Sequence, residues 1–307
     1  MKRYPACILC TCVVPWDENF EFAEELFVDE VQRMLKTTRH LYIFGTAGEG
    51  HAVSNRQFKQ ITRVFHDTMR ASGADPMIGV ISLSLPTIQE RIELAHEIGA
   101  RHFQISLPSW GALTDDEVRT FFQSVCGGHR DCQFLHYNLM RTKRLISPEL
   151  YADLAEAHPN FVGTKNCTDS MDRLRGLMTL SPQLQHFVGE VGYLYASQLG
   201  ECGLLASLAS NGTAITEFFE AGRRHDLPLL IERYSEIASI FQELISAVGT
   251  NAHIDSAYDK VLWKLQDERF PLRLLPPYVG ATDAAFERFA EFVRTKCPRW
   301  LPAENDE

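Results

Sequence analysis

Eight short apolar runs, separated by segments with helical periodicity, constrain the fold of this chain more than any other feature. The runs recur from the N-terminus to about residue 210, and most are nearly continuous in apolar residues. Such strands are expected in parallel sheets that are covered on both faces. The candidate strands are residues 6–14, 40–44, 77–83, 102–107, 133–137, 161–165, 185–189 and 202–208.

The segments between the runs carry the signals of helix starts. Ser54 with Gln57 and Thr114 with Glu117 have the spacing of capping boxes, and each pair precedes an amphipathic stretch. Pro148 stands where the first turn of another helix is expected. Strands that alternate with helices in this way predict an α/β fold with a parallel sheet.

Eight such units predict a closed (β/α)₈ TIM barrel over residues 1–213. An open doubly wound sheet is the alternative, but it usually has a glycine-rich phosphate turn after its first strand, which here ends in Val-Val-Pro-Trp. Residues 214–307 are predicted to be helices that complete the barrel and pack on it as one structural unit. These helices are predicted at 214–224, 227–248, 254–268 and 282–297.

The charge and the cysteines limit the class of protein. The 307 residues carry a formal charge of −10, which argues against a nucleic acid or an anionic membrane as partner. No apolar run approaches the ~20 residues needed to span a bilayer. The first apolar run ends at Pro15 without a small-residue cleavage site, so we expect a strand there and a cytoplasmic protein. The eight cysteines are expected to be reduced, because no export signal is recognised. Cys7 and Cys10 have the spacing of a zinc or redox pair, but strand residues three apart point to opposite faces, so we expect two buried strand cysteines.

The active site of such a barrel is expected at the C-terminal ends of the strands. Lys165 ends an apolar strand there, and loss of solvation would lower its pKa and leave part of the amine neutral. A neutral amine can attack a ketone and form an imine. Tyr137 ends the preceding strand, where its phenol could relay protons. The alternatives are a solvated strand-end lysine and a tyrosine that only packs.

The loop Gly45-Thr46-Ala47-Gly48-Glu49-Gly50 follows the second candidate strand. Its backbone N–H groups could form a nest for an anion such as a carboxylate, although a glycine-rich stretch is often only a turn. The loop lacks the Gly-Lys-Ser/Thr ending of a nucleotide-binding loop.

Five segments together resemble one family. They are GTAGEG after strand 2, GARHFQISLPSW at strand 4, YNLMRT at strand 5, FVGTKNCTDS at strand 6 and FVGE at strand 7. The order and spacing of these segments resemble those of the dihydrodipicolinate synthase / N-acetylneuraminate lyase family of Schiff-base class I aldolases. The resemblance covers residues 5–215. The interval from Tyr137 to Lys165 is the most specific part of the match.

The resemblance implies a role for each matching residue. Lys165 would form an imine with the keto carbon of pyruvate, without any cofactor, while Tyr137 moves protons. Thr46 and Ala47 would bind the pyruvate carboxylate through backbone N–H groups. The remaining substrate contacts implied are Leu205 and Ala206 under the methyl group, Glu190 facing a second substrate, and Arg141 on a substrate carboxylate. The resemblance also implies a homotetramer built as a dimer of dimers.

Three positions depart from the family pattern. Ala47 replaces a hydroxyl residue, Trp110 stands where the synthase branch has a relay tyrosine, and Met140 replaces a proline. A tryptophan cannot exchange a phenolic proton, so we expect Trp110 near the barrel mouth or a subunit contact as an apolar wall. The sequence therefore predicts a pyruvate-type aldolase, lyase or hydratase with an open second substrate, a set that includes the strict synthase and cleavage of a keto-deoxy sugar acid. We expect aspartate semialdehyde to be turned over poorly compared with another acceptor.

Two other classes remain open from the sequence. Glu49, His51 and Glu190 near strand ends could be ligands of a metal-dependent barrel lyase, although their spacing matches no metal motif. A non-catalytic relative that binds a keto acid or sugar acid is the other class, because a fold does not determine a function.

Overall fold

The computed structural model describes residues 3–168, 170–208, 211–250 and 252–302. Eight parallel strands pair in chain order, and the last pairs with the first, so the barrel is closed. The strands are β1 Ile8–Thr11, β2 Leu41–Ile43, β3 Met77–Gly79, β4 His102–Ile105, β5 Gln133–Asn138, β6 Phe161–Asn166, β7 Gln185–Val188 and β8 Gly203–Ala206. The predicted barrel is confirmed, and most strands are shorter than the apolar runs because buried loop residues extend those runs.

A helix follows each strand, as the alternation predicts. The helices of the barrel are α1 Glu24–Leu35, α2 Asn55–Ala71, α3 Leu85–Glu97, α4 Asp115–Val125, α5 Pro148–Ala157, α6 Met171–Leu180, α7 Glu190–Leu199 and α8 Gly212–Arg223. Both capping boxes form, because Ser54 and Thr114 each accept a hydrogen bond from the backbone N–H three residues later. Pro148 lies in the first turn of α5.

In the part of the chain that the structure describes, three further α-helices follow the barrel: α9 Leu227–Val248, α10 Asp255–Lys264 and α11 Asp283–Lys296. Helix α9 packs against α7, α8, α10 and α11. Among the described residues, no helix is both long and apolar enough to cross a membrane. All eight cysteines are free, and Cys7 and Cys10 lie at the first strand as expected.

Two apolar clusters fill the molecule. One lies between the strands and the surrounding helices. The other fills the barrel interior, and its members are Tyr4, Leu9, Tyr42, Met77, Leu135, Val162, Phe187 and Leu205. Because side chains plug the interior, we expect the substrate of such a barrel to bind above them, at the C-terminal ends of the strands.

Candidate active site

Lys165 lies inside the barrel near the end of β6, and its side chain is only 4% exposed. Its Nζ donates a hydrogen bond of 2.7 Å to the Tyr42 hydroxyl. The same atom lies 3.8 Å from the centre of the Tyr137 ring and 4.7 Å from that of Tyr42. In the described part of the chain no carboxylate forms an ion pair with it. Burial lowers the pKa of this amine, which favours the neutral, nucleophilic form.

Tyr137 stands beside Lys165 because the two residues are register partners of β5 and β6. Burial raises the pKa of its phenol, while a hydrogen bond with the Thr46 side chain opposes that rise. The phenol therefore stays protonated near neutral pH. A buried, protonated hydroxyl beside the amine can donate a proton to an oxygen that leaves during imine formation.

Asn138 and Asn166, the last residues of β5 and β6, hold these two strand ends together. The Asn138 side-chain amide donates to Asn166 Oδ1 at 3.1 Å, and its Oδ1 accepts from the Ile146 N–H at 2.9 Å. This bridge lies directly beyond Tyr137 and Lys165, so it fixes their relative position. Neither asparagine was identified as a site residue from the sequence, because polar residues at strand ends are common.

Tyr42 is a part of the site that the sequence did not identify. Its only sequence signal is an inward position on β2, and the contact with Lys165 joins residues 123 positions apart. Gly45 lies against this pair. A Cβ atom at position 45 would lie 2.9 Å from the Tyr42 ring and 3.6 Å from Lys165 Nζ. Glycine at this position therefore leaves space beside the amine.

The loop after β2 turns sharply above this space. Glu49 has a positive φ of 55°, and a Cβ atom at Gly50 would lie 2.3 Å from the Phe44 carbonyl oxygen, which explains the glycine. The backbone N–H groups of Thr46 and Ala47 make no hydrogen bond to any described residue. Thr46 and Ala47 are themselves buried. The loop in which a carboxylate nest was predicted thus has two backbone N–H groups without a hydrogen-bond partner in the described residues.

Glu49 points away from the space and into the protein. It accepts hydrogen bonds from Lys260 at 2.6 Å, from the Trp16 indole at 2.8 Å and from the Leu275 N–H at 2.8 Å. Its carboxylate is fully used by these partners, so it is a structural anchor of the loop.

The three residues considered as metal ligands, Glu49, His51 and Glu190, do not come together in the described part of the chain. Glu49 is already bound, His51 packs edge-on against the Tyr278 ring, and Glu190 lies elsewhere at the barrel mouth. Within the described ranges, the metal-donor atoms that lie within 4.8 Å of one another belong to His96, Asp131 and Cys132, close to the start of β5. That position is remote from the strand ends that hold Lys165.

Glu190 begins α7 and lines a cavity of about 410 Å³ that also contacts Cys167 and Leu205. Its carboxylate accepts a 2.7 Å hydrogen bond from the Ser207 N–H. Burial raises the pKa of this carboxyl, and the backbone hydrogen bonds oppose the rise. Leu205 is part of the interior cluster, whereas Ala206 belongs to the outer one, since neighbouring strand residues point to opposite faces.

A second cavity, of about 310 Å³, adjoins the first. Both are lined by Ser207 and Phe241. Arg141 lies on its wall in a short 3₁₀ helix, and its guanidinium forms a 2.8 Å ion pair with Asp255 of α10. Arg141 is thus already paired with a carboxylate of the protein.

Trp110 lies in the loop after β4, with its side chain 81% exposed. Its ring lies 5.9 Å from the ammonium of Lys143. The loop is on the same face of the barrel as the strand ends, but Trp110 does not line either of the two cavities. A larger cavity of about 630 Å³ lies between α1 and α8 and shares no lining residue with these two cavities.

The sequence profile of the dihydrodipicolinate synthetase family matches residues 5–275. The chain belongs to this family. Its relatives include the N-acetylneuraminate lyase of Gallus gallus, 26% identical over 198 residues, which are 63% of this chain and 62% of that enzyme. The 4-hydroxy-tetrahydrodipicolinate synthase of Xylella fastidiosa is 26% identical over 211 residues, 66% of this chain and 68% of that enzyme. The match therefore spans less than two thirds of the chicken lyase.

Solved structures of this dihydrodipicolinate synthetase fold superpose closely. YagE, a prophage protein of E. coli K12 determined in complex with pyruvate, has a TM-score of 0.85 at 16% identity, over 95% of this chain and 98% of YagE. CdNal of Clostridium difficile, determined in complex with mannosamine, has a TM-score of 0.82 at 18% identity, over 94% of this chain and 98% of CdNal. At these identities the likeness establishes the fold, and the named relatives make the family one of aldolase-type lyases.

Proposed function

We propose that this protein is a pyruvate-type class I aldolase or lyase that holds its 2-keto acid as a Schiff base on Lys165. One observation carries the proposal. Lys165 is buried at the catalytic face of the barrel between two tyrosine rings, without a carboxylate partner in the described residues. A lysine kept this way loses solvation and gains no ion pair, which is the environment that activates an amine as nucleophile.

The reaction begins with binding of the keto acid. The free N–H groups of Thr46 and Ala47 hold the carboxylate, which brings the ketone beside Lys165 in the space left by Gly45. The neutral amine adds to the ketone and gives a carbinolamine. Tyr137 protonates the leaving hydroxyl, water departs, and the imine forms.

The imine then activates the neighbouring carbon. Loss of a proton or of a carbon fragment from C3 leaves an electron pair that the protonated imine nitrogen accepts, so the lysine itself acts as electron sink and no cofactor is needed. Leu205 lines the cavity and belongs to the interior cluster, which supports a contact with the methyl group. Glu190 and Arg141 lie on the walls beyond, where a second substrate would bind.

The proposal includes assembly as a homotetramer, a dimer of dimers, in the cytoplasm. Exposed apolar side chains on successive loops of the barrel mouth support an intersubunit contact: Leu83 after β3, Trp110 after β4 and Met140 after β5. The eight free cysteines support a reducing compartment.

Exchange of the pyruvate methyl protons in D₂O tests this function without knowledge of the second substrate. An enamine on Lys165 takes up solvent deuterium at C3, so we expect the protein to deuterate the methyl group of pyruvate far faster than buffer does. Proton NMR of the methyl signal measures the rate. Exchange no faster than in buffer would contradict the proposal.

A further inference from the structure

Helix α10 presents two different faces to the site. Ser256 and Lys260, one turn apart, are buried against the loop after β2: the Ser256 hydroxyl donates to the Thr46 carbonyl at 2.9 Å, and Lys260 binds Glu49. Asp255 and Asp259 form the neighbouring stripe, about 100° around the helix. Because the first stripe is anchored to the loop, the second is held over the barrel mouth, where both aspartates line the 310 Å³ cavity.

The two aspartates have different partners. Asp255 is in an ion pair with Arg141. The Asp259 carboxyl forms no ion pair with any side chain in the described ranges, and it is coupled electrostatically to Lys165 and Glu190. The protein thus holds a carboxyl without an ion pair in the described ranges on the wall of the cavity at the barrel mouth, and its charge interacts with that of Lys165.

The cavity walls also limit what can bind there. Three carboxyl groups face the two joined cavities, from Glu190, Asp255 and Asp259, whereas the guanidinium of Arg141 is already paired with Asp255. A second substrate with a carboxylate would meet like charges, which costs affinity. Hydroxyl groups, by contrast, can donate to carboxylates and accept from a carboxylic acid.

We propose that Asp259 is the acid–base residue for the second substrate, and that this substrate is an uncharged hydroxyaldehyde. The inference rests on the proposed imine at Lys165. Trp110 cannot take this role, since an indole does not exchange protons as a phenol does and its ring lies outside both cavities.

In the cleavage direction, the Asp259 carboxylate removes the proton from the C4 hydroxyl of a 4-hydroxy-2-keto acid bound as the protonated imine. The C3–C4 bond breaks, its electron pair moves through C2 to the imine nitrogen, and the C4 oxygen becomes the carbonyl of the aldehyde. Protonation of the enamine at C3 and hydrolysis by water then release pyruvate. In condensation the order is reversed, and the Asp259 carboxylic acid protonates the aldehyde oxygen as C3 attacks.

The protonation state of Asp259 fits both directions. Burial, with Asp255 beside it, raises the pKa of this carboxyl to about 8, while the charge of Lys165 opposes the rise. Both forms are therefore populated near neutral pH, as an efficient general acid or base requires. The charged or titratable groups that face it are Asp255 on its own helix, Lys165 on β6, Glu190 on α7 and Tyr42 on β2. Arg141, His253 and Tyr258 share its cavity.

Asp259→Asn tests the role, because asparagine keeps the shape and mimics the protonated carboxyl without titrating. The assays use saturating pyruvate with D-glyceraldehyde, or with tartronate semialdehyde, which carries a carboxylate in place of the terminal hydroxymethyl group. For the wild type we expect kcat/KM to be at least ~10-fold higher with glyceraldehyde. In Asp259→Asn we expect kcat with glyceraldehyde to fall ~10²–10⁴-fold, whereas pyruvate is still trapped on Lys165 by borohydride.

The pH profile of kcat separates a catalytic role from a structural one. In the wild type, kcat for condensation should fall as the pH rises through about 8, since the acid form is consumed, and kcat for cleavage should rise there. Asp259→Asn should lose this limb, whereas Asp259→Glu should retain one. Asp255→Asn, which breaks the Arg141 pair, should also retain a limb but at a lower pH, because the Asp255 carboxylate contributes to the raised pKa of Asp259.

Each outcome decides a separate point. Wild-type turnover in Asp259→Asn, or an unchanged limb near pH 8, overturns the role of Asp259 while the imine on Lys165 stands. Preference for tartronate semialdehyde overturns the substrate class. Failure of the wild type itself to trap or deuterate pyruvate overturns the proposed function, and this inference with it.

Discussion

Lys165 and Lys260 are both buried lysines at the barrel mouth, but their surroundings differ. Lys260, with a side chain that is 0% exposed, donates to Glu49 Oε1 and to the Arg273 carbonyl, each at 2.6 Å. Lys165 has the Tyr42 hydroxyl and the Tyr137 ring in place of a carboxylate. Burial acts on both amines, and only at Lys260 does an adjacent carboxylate oppose the resulting fall in pKa through an ion pair.

The comparison shows that two buried lysines at the same end of the barrel can have different roles: Lys260 of α10 holds the loop after β2, whereas Lys165 is the proposed nucleophile. The Glu49–Lys260 pair fixes the loop in which the N–H groups of Thr46 and Ala47 have no partner among the described residues, so the charge of Lys260 serves to position the loop. Lys165 forms no ion pair in the described residues, so under the proposed function its amine is available to the keto acid. A buried lysine is thus a candidate nucleophile when its partner is a phenol, and a structural one when its partner is a carboxylate.

Removal of the Lys165 amine should have the largest effect on activity. Lys165→Met keeps the volume and removes the nucleophile, so we expect methyl-proton exchange to fall to the buffer rate. The free energy of unfolding should be unchanged or higher, because an unpaired buried amine is replaced by an apolar side chain. Chemical denaturation measures it, and exchange at the wild-type rate in this variant would show that another amine is responsible.

Loss of the Tyr137 hydroxyl should give the next largest effect. We expect Tyr137→Phe to fold and to bind keto acid, with turnover ~10²–10⁴-fold lower, the usual contribution of a positioned general acid or base. The kinetics of imine formation, followed by rapid quench with borohydride, measure the step directly. Turnover equal to the wild type would assign Tyr137 to packing alone.

Substitution of Lys260 should lower the stability of the protein and leave imine formation on Lys165 intact, the opposite of what we expect for Lys165. Lys260→Met leaves Glu49 buried without its partner, which costs about 3–5 kcal/mol in the free energy of unfolding. The double variant Lys260→Met/Glu49→Gln should recover part of this loss, because the uncompensated charge is removed. Folded Lys260→Met should still form the adduct on Lys165. Equal stability of Lys260→Met and the wild type would contradict the structural assignment.

The smallest effect should come from Tyr42. Its hydroxyl accepts one hydrogen bond from Lys165 Nζ, a contribution of about 0.5–1.5 kcal/mol. We therefore expect Tyr42→Phe to change the rate of imine formation by no more than ~10-fold. A larger loss would mean that Tyr42 takes part in proton transfer as Tyr137 does.

The fold was predictable from the sequence because its signals are local. Each strand is an apolar run, and capping residues such as Ser54 and Thr114 mark helix starts within four residues. Lys165 and Tyr137 were predictable for the same reason, since each ends a strand. Their close approach follows from the pairing of consecutive strands.

The remaining parts of the site depend on contacts between distant residues. Glu49 lies in the predicted loop, but its partner Lys260 is 211 positions away, so its structural role has no local signal. The same holds for Tyr42, and for Asp259, which reaches the mouth only because α10 is anchored to that loop. Arg141 was assigned to a substrate carboxylate, and its ion pair with Asp255 again joins residues far apart.

Borohydride reduction in the presence of pyruvate tests the central claim most directly. An imine is reducible, whereas an ion pair is not, so reduction should fix one pyruvate unit per chain, and peptide mapping should find it on Lys165. Lys165→Met, treated identically, should remain unmodified. An unmodified wild-type protein, after trials with pyruvate and larger 2-keto acids, or an adduct on another lysine, would contradict the account.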